Sequence, residues 1–176
     1  SPFMMGITVS VLVGCALTLP ISSVAICVML GIDGLAAGAA TAGCCAQMVG
    51  FAVISFKDNG MGGLISQGVG TSMLQIGNIV RKPLIWLAPT LTAAILGPVS
   101  TMVFKMTNTA LGAGMGTSGL VGPLATYAAM SGTGTASGIL ILEIITLHFV
   151  APAIIALAIH ALMSRLGLVK PGDMKI

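Results

Sequence analysis

Long apolar runs alternate with short polar breaks along this chain. Residues 4–30 are almost continuously apolar, interrupted at Leu19-Pro20. Proline removes a backbone donor, so Pro20 predicts a kinked helix, with Ser22 and Ser23 placed to satisfy the freed carbonyls. Gly31-Ile32-Asp33-Gly34 reads as a turn, and residues 35–56 form a second run, rich in Ala and Gly, that carries Gln47. Lys57-Asp58-Asn59-Gly60 is a loop signal. Residues 61–80, with Gly62, Gly63, Gln67, Gly68, Gly70, Gln75 and Asn78, are too polar for a lipid-facing helix. They predict a re-entrant or interfacial stretch that ends at Arg81-Lys82-Pro83. Residues 84–104 predict a spanning helix with Trp86 near one end and Pro89 and Pro98 inside. Next come the glycine-rich stretch Gly112–Pro123, a short helix over 119–131, a break at Ser131–Gly138 and a long final helix over 139–163.

Two of the breaks are copies of one another. Gly68-Val69-Gly70-Thr71-Ser72-Met73-Leu74 and Gly114-Met115-Gly116-Thr117-Ser118-Gly119-Leu120 both read G-x-G-T-S-x-L. Phe56-Lys57 and Phe104-Lys105 end the apolar run upstream of each copy. Non-helical backbone at membrane depth is tolerated where it is buried in protein or lines a watery cavity. A broken helix beginning at Thr-Ser would aim free N–H groups at such a cavity, and paired broken segments in two repeats point to a transporter's binding site. The competing reading is that these glycines only let helices pack closely.

Composition fixes the class. The chain of 176 residues is 56% hydrophobic and 6% charged, with a mean hydropathy of +1.10. No soluble domain of this size hides so much apolar surface, so this is an all-α integral membrane protein. Its 24 glycines suit close helix contacts and broken helices. A scattered net charge of +3 leaves no nucleic-acid footprint. Cys15, Cys27, Cys44 and Cys45 all lie in apolar runs without a C-x-x-C pair, so they read as small buried hydrophobes. No zinc motif is present, and no cofactor is expected. Ser1 and the apolar opening predict a chain taken from the middle of a longer polypeptide.

Charge sets an orientation. Arg165, Lys170 and Lys175 make the tail 165–176 basic, which predicts a cytoplasmic C-terminus. Residues 1–164 are then the membrane-embedded part, with about four spanning helices and two glycine-rich re-entrant or broken segments. Lys57 and Arg81-Lys82 fall inside, Asp33 and Lys105 outside, and the two GxGTSxL units have opposite topology, an inverted repeat. The competing arrangement makes 61–80 a true span and reverses everything upstream.

Few residues carry chemistry. Glu143 is the only glutamate and lies in an apolar helix, where an intramembrane acid is a functional candidate by default. The other reading is a helix-end residue reaching headgroup water. His148 lies five positions on, about 140° round the helix, so the two do not share a face. His160 reads as interfacial. Gln47, Gln75, Asn78 and Asn108 suit a polyhydroxylated ligand and equally suit ties between helices. The candidate substrate-binding set is Gly70, Thr71, Ser72, Gln75, Asn78, Gly116, Thr117, Ser118, Glu143 and His148.

The stretches LTLPISSVAI, GLAAGAATAGCCAQMVGFAVISFKDNG, GTSMLQIGNIVRKP and GAGMGTSGLVGP resemble the C-terminal half of bacterial enzyme IIC-like proteins of the sugar phosphotransferase system, in the perfringolysin-regulator-like group. The resemblance covers nearly the whole chain. It implies a membrane-embedded, dimeric sugar permease subunit in the bacterial cytoplasmic membrane. Its partners would be soluble phosphocarrier domains, with the sugar phosphorylated as it crosses and no phosphorylated residue on this subunit. Better-known sugar permeases hold the sugar with a glutamate and a histidine; Glu143 and His148 correspond by chemistry only. Two further readings stand beside this one: a secondary transporter or channel for another small polar solute, and a ligand-sensing membrane regulator. The short cytoplasmic loops count against the last.

Overall fold

A computed structural model describes residues 1–176. The fold is all-α; its one β-type contact is an isolated bridge between Gly34 and Asn108. Three helices are long and apolar enough to cross a membrane: Gly34–Ile54, Pro83–Phe104 and Ser137–Arg165. A fourth apolar helix, α1 (Pro2–Thr18), is 17 residues long, at the short end of what a bilayer requires.

Residues 4–30 are two helices and not one kinked helix. The residue before proline is driven out of the helical region, and Leu19 is accordingly extended (φ −74°, ψ 158°). The chain restarts at α2 (Ser23–Met29), where the Ser22 hydroxyl accepts from Ala25 N at 3.1 Å. Ser23 donates instead to the Gly114 carbonyl at 2.6 Å, which ties α2 to the second glycine-rich stretch.

The helix α3 (Gly34–Ile54) is the core. Every residue from Ala37 to Ala52 is buried. Its Ala and Gly side chains are too small to hold neighbours away, so helices approach backbone to backbone. A Cβ on Gly43 would stand 1.9 Å from the Ser10 carbonyl oxygen of α1. The same device joins α1 to the Pro83–Phe104 helix, where a Cβ on Gly97 would stand 2.1 Å from the Gly6 carbonyl oxygen. Ser10 adds a hydrogen bond to the Ala93 carbonyl at 2.8 Å.

Lys57–Gly60, expected as a loop, is helical. The Ser55 carbonyl accepts from Asp58 N and Asn59 N, and α4 (Phe56–Ile65) follows, with only Gly60 (φ 65°, ψ −158°) out of helical geometry. The Asn-Gly signal therefore yields a kink. Residues 61–80 are broken, as their polarity predicts. After α4 come a π-helical turn (Ser66–Gly70), extended Thr71, a 3-10 turn (Ser72–Gln75) and α5 (Ile76–Arg81). This segment returns to the end it left. Asp58 accepts from Gly172 N at 2.9 Å, and Lys82 pairs with the neighbouring Asp173 at 2.7 Å.

In the Pro83–Phe104 helix, a regular portion, α6 (Leu87–Pro98), lies between a 3-10 and a π-helical turn. Beyond it are α7 (Ala110–Ala113) and α8 (Val121–Met130). The break expected at Ser131–Gly138 carries Gly132 and Gly134 at positive φ. The long final helix consists of α9 (Ser137–Ile145), a π-helical turn (Thr146–Val150) and α10 (Ala151–Arg165). Pro152 cannot donate to the carbonyl four residues back and its ring crowds that carbonyl, which accounts for the wide turn at this point.

Six of the seven basic residues gather at one end of the bundle: Lys57, Arg81, Lys82, Arg165, Lys170 and Lys175. Lys105 lies at the other end, beside the Gly34–Asn108 bridge.

Candidate functional site

The two GxGTSxL copies meet the same two turns of α3. From the first copy, the buried Ser72 hydroxyl lies 2.7 Å from Thr18 Oγ1. Thr18 gives its own proton to Gln47 Oε1 at 3.1 Å, so Ser72 donates to Thr18. Gln47 Oε1 also accepts from Trp86 Nε1 at 2.9 Å, and Gln47 Nε2 donates to Thr90 Oγ1 at 3.2 Å. Gln47 thus ties together α1, α3, the broken segment and the start of the Pro83–Phe104 helix. From the second copy, buried Thr117 donates to Met48 Sδ at 3.6 Å, and Gly116 lies against Cys44. The segments Ser66–Gly70 and Ser118–Leu120 touch. The copies are therefore neighbours, the second directly on Cys44 and Met48 and the first reaching Gln47 through Thr18.

Their glycines are not equivalent. Gly116 has φ +55°, and a Cβ there would come within 2.7 Å of Cys44 Cβ. Gly70 is exposed, has no positive φ, and a Cβ there would meet nothing within 4 Å. Thr71 uses its hydroxyl to accept from Met73 N at 3.1 Å, capping the 3-10 turn, and Ser118 is half-buried.

Gln75 and Asn78 belong to a separate ladder of amides. Asn78 Nδ2 donates to Gln75 Oε1 (2.9 Å), Gln75 Nε2 to Gln67 Oε1 (2.8 Å) and Gln67 Nε2 to Ser55 Oγ (2.9 Å). The outer end meets the C-terminal tail, whose Val169 and Met174 are buried in the apolar cluster around Phe51, Ile79 and Ile85. Asn108, at the opposite end of the bundle, links helices: its Nδ2 donates to Thr41 Oγ1 (2.8 Å) and Thr126 Oγ1 (3.1 Å).

Glu143 is half-buried in α9 without an ion pair or a side-chain hydrogen bond. His148 is fully buried in the wide turn, and neither ring nitrogen has a partner. The two do not come together. None of the four main cavities is lined by any of the ten candidate residues; the largest, of about 470 Å³, is a shallow one between Cys15, Pro83, Trp86 and Thr90. One, of about 300 Å³, is polar and lies at the basic end between Lys57, Asp58, His160, Ser164 and Lys170. Another, of about 350 Å³, is an apolar groove between Leu124, Tyr127, Ile141 and Phe149.

The candidate set left out Thr18, Trp86, Thr90 and Gln67, which the structure places in these networks. Gln67 carried a signal, as an amide in the weak segment beside Gln75. Thr18 and Thr90 carried none, since threonine is unremarkable in an apolar helix.

Over its whole length, residues 1–176, the chain matches the family described as "Phosphotransferase system, EIIC". The match does not extend to the narrower perfringolysin-regulator-like group of the resemblance. No curated protein and no solved structure matches.

Proposed function

Since the chain belongs to the EIIC family of the phosphotransferase system, we propose that it binds a small carbohydrate and carries it across the bacterial cytoplasmic membrane. The family supports a permease subunit in a membrane. The sugar, the homodimer, the soluble phosphocarrier partners and the cytoplasmic placement of the basic end belong to this reading. One observation carries the site: the two GxGTSxL copies converge on Cys44–Met48 of α3, where Ser72, Thr18 and Gln47 form one hydrogen-bonded line. Hydroxyls and a carboxamide are the groups that exchange hydrogen bonds with sugar hydroxyls. Gly70, Thr71 and Ser72 from the first broken segment, and Gly116, Thr117 and Ser118 from the second, form its walls in this reading; Gln75 and Asn78 stand apart in the amide ladder. Glu143 and His148, on the long final helix, belong to this reading by their chemistry alone.

The test is reconstitution of the intact permease in vesicles with purified phosphocarrier proteins and a panel of labelled sugars. Phosphorylated sugar inside the vesicles supports the reading. Accumulation of unmodified solute without phosphocarriers would make the protein a secondary transporter, and no flux of any sugar would remove the substrate class.

A further inference from the structure

Three amides on the returning segment grip the chain's own tail. Asn59 Nδ2 and Gln75 Nε2 both donate to the Met174 carbonyl, at 2.9 and 2.8 Å, and Asn78 Nδ2 donates to the Lys175 carbonyl at 2.9 Å. A carboxamide nitrogen carries two protons. For Gln75 and Asn78 the inner proton is committed to the ladder that ends on Ser55, and the outer one faces the tail. Withdrawing the tail would leave three N–H donors converging on one place, oriented by the ladder behind them. Gln75 is fully buried and Asn78 is 8% exposed. Donors so placed are costly to leave without an acceptor.

Asp58 completes the surroundings. Its carboxylate accepts from Gly172 N and Met174 N, and it loses both if the tail leaves. The vacated place then holds amide donors beside a carboxylate acceptor. Hydroxyl groups fit this pairing, because each accepts and donates at once. A fully ionised anion such as sulfate has no proton to give Asp58, although Lys57, Lys82 and Lys170 stand near it.

Release must withdraw Met174 from the Phe51 cluster, whereas the strap's ion pair is already open to solvent. Lys82 and Asp173, its ion pair, keep 30% and 23% of their side chains exposed, and such pairs contribute little. Gly167 (φ 73°), just past α10, turns the chain before the segment, and Gly172 (φ 89°) turns it within.

We propose that Asn59, Gln75 and Asn78, with Asp58, form a binding site for a neutral polyhydroxylated solute, and that Lys170–Ile176 occupies this site as a competing strap. For its role in transport the inference rests on the permease reading. The competition between solute and strap does not.

The test uses the intact protein in detergent, with its four native cysteines replaced by alanine and one cysteine placed at Met174. A water-soluble maleimide reads release of the strap. Labelling is slow at rest, rises about tenfold with excess mannitol or glucose, and stays unchanged with sulfate. Asp173→Asn, which loosens the strap without touching the amides, raises the resting rate by about two- to fivefold, as loss of one solvent-exposed ion pair should. Hydrogen exchange at the Gly172 and Met174 amides of the unsubstituted protein gives the same readout if the cysteine replacements fail to fold. Labelling at the rate of a free thiol without sugar, or a rate that neither sugar changes, overturns the proposal. A strap that responds to sugar in a protein without flux would sink the permease reading alone.

Discussion

Asp58 and Lys82 hold adjacent residues of the tail, Gly172 and Asp173, so the stretch between them leaves and re-enters the same end of the bundle. A membrane span would have separated them by the thickness of a bilayer. Single cysteines at Lys57 and Arg81, in a background without native cysteines, are expected to react with an impermeant thiol reagent from the cytoplasmic side. One at Lys105 should react from the outside. Labelling of the first two from opposite faces would remove the re-entrant path.

Trp86 is the only tryptophan, and its indole donates to Gln47, so its fluorescence reports on the Gln47 network. Gln47→Leu deprives Thr18 and Trp86 of their acceptor and Thr90 of a donor. A blue-shifted Trp86 emission and a loss of about 2–4 kcal/mol of stability are expected, with Trp86→Phe costing about 1 kcal/mol. An unchanged spectrum and melting temperature for Gln47→Leu would show that the network carries no load.

The two glycines of the repeat should respond differently to the same substitution. Gly116→Ala meets both a left-handed backbone and the Cys44 side chain, and should cost about 1–3 kcal/mol. Gly70→Ala meets neither and should lie within about 0.5 kcal/mol of the parent. Thermal unfolding in detergent separates them, and equal effects would reverse the assignment.

Glu143 has no partner to lose, so Glu143→Gln should insert and fold normally. If its charge meets substrate or a coupling proton, uptake into vesicles should fall by roughly tenfold or more. Normal uptake would demote Glu143 to a residue that reaches headgroup water.

The Lys82 ammonium, and then the Lys170 backbone N–H, hold the Asp173 carboxyl below its ordinary value. A carboxyl depressed in the folded state contributes stability above its unfolded pKa, about 3.9, and loses it as pH falls through the folded value. Docking of the tail should therefore be flat from about pH 5 to 8 and loosen only below about pH 4. Hydrogen exchange at the Lys170 amide, which donates to Asp173, checks this, and Asp173→Asn should abolish the acid step there.

The class, the long helices and the places where they break were legible in the amino-acid sequence, because each depends on local quantities. Mean hydropathy demands a membrane, Pro20 marked an interruption (a full break where a kink was expected), and the polar residues of 61–80 rule out a lipid-facing helix. The charge pattern likewise pointed to one end, and six of the seven basic residues gather there. The partners of those residues were decided by the tertiary structure alone. Gln47 was visible as an amide in an Ala-rich run, yet its acceptor and donors come from positions 18, 86 and 90. The repeat marked Gly70 and Gly116 as equals, but only Gly116 has α3 pressed against it. The tail read only as polar and basic, whereas Met174 is buried and its carbonyl takes two amide protons. The physical reason is common to all three cases. A side chain's hydrogen-bonding capacity belongs to its residue type, but whether that capacity meets a helix, the chain's own tail or a solute depends on which backbones the small residues of α1, α3 and α6 allow to come close.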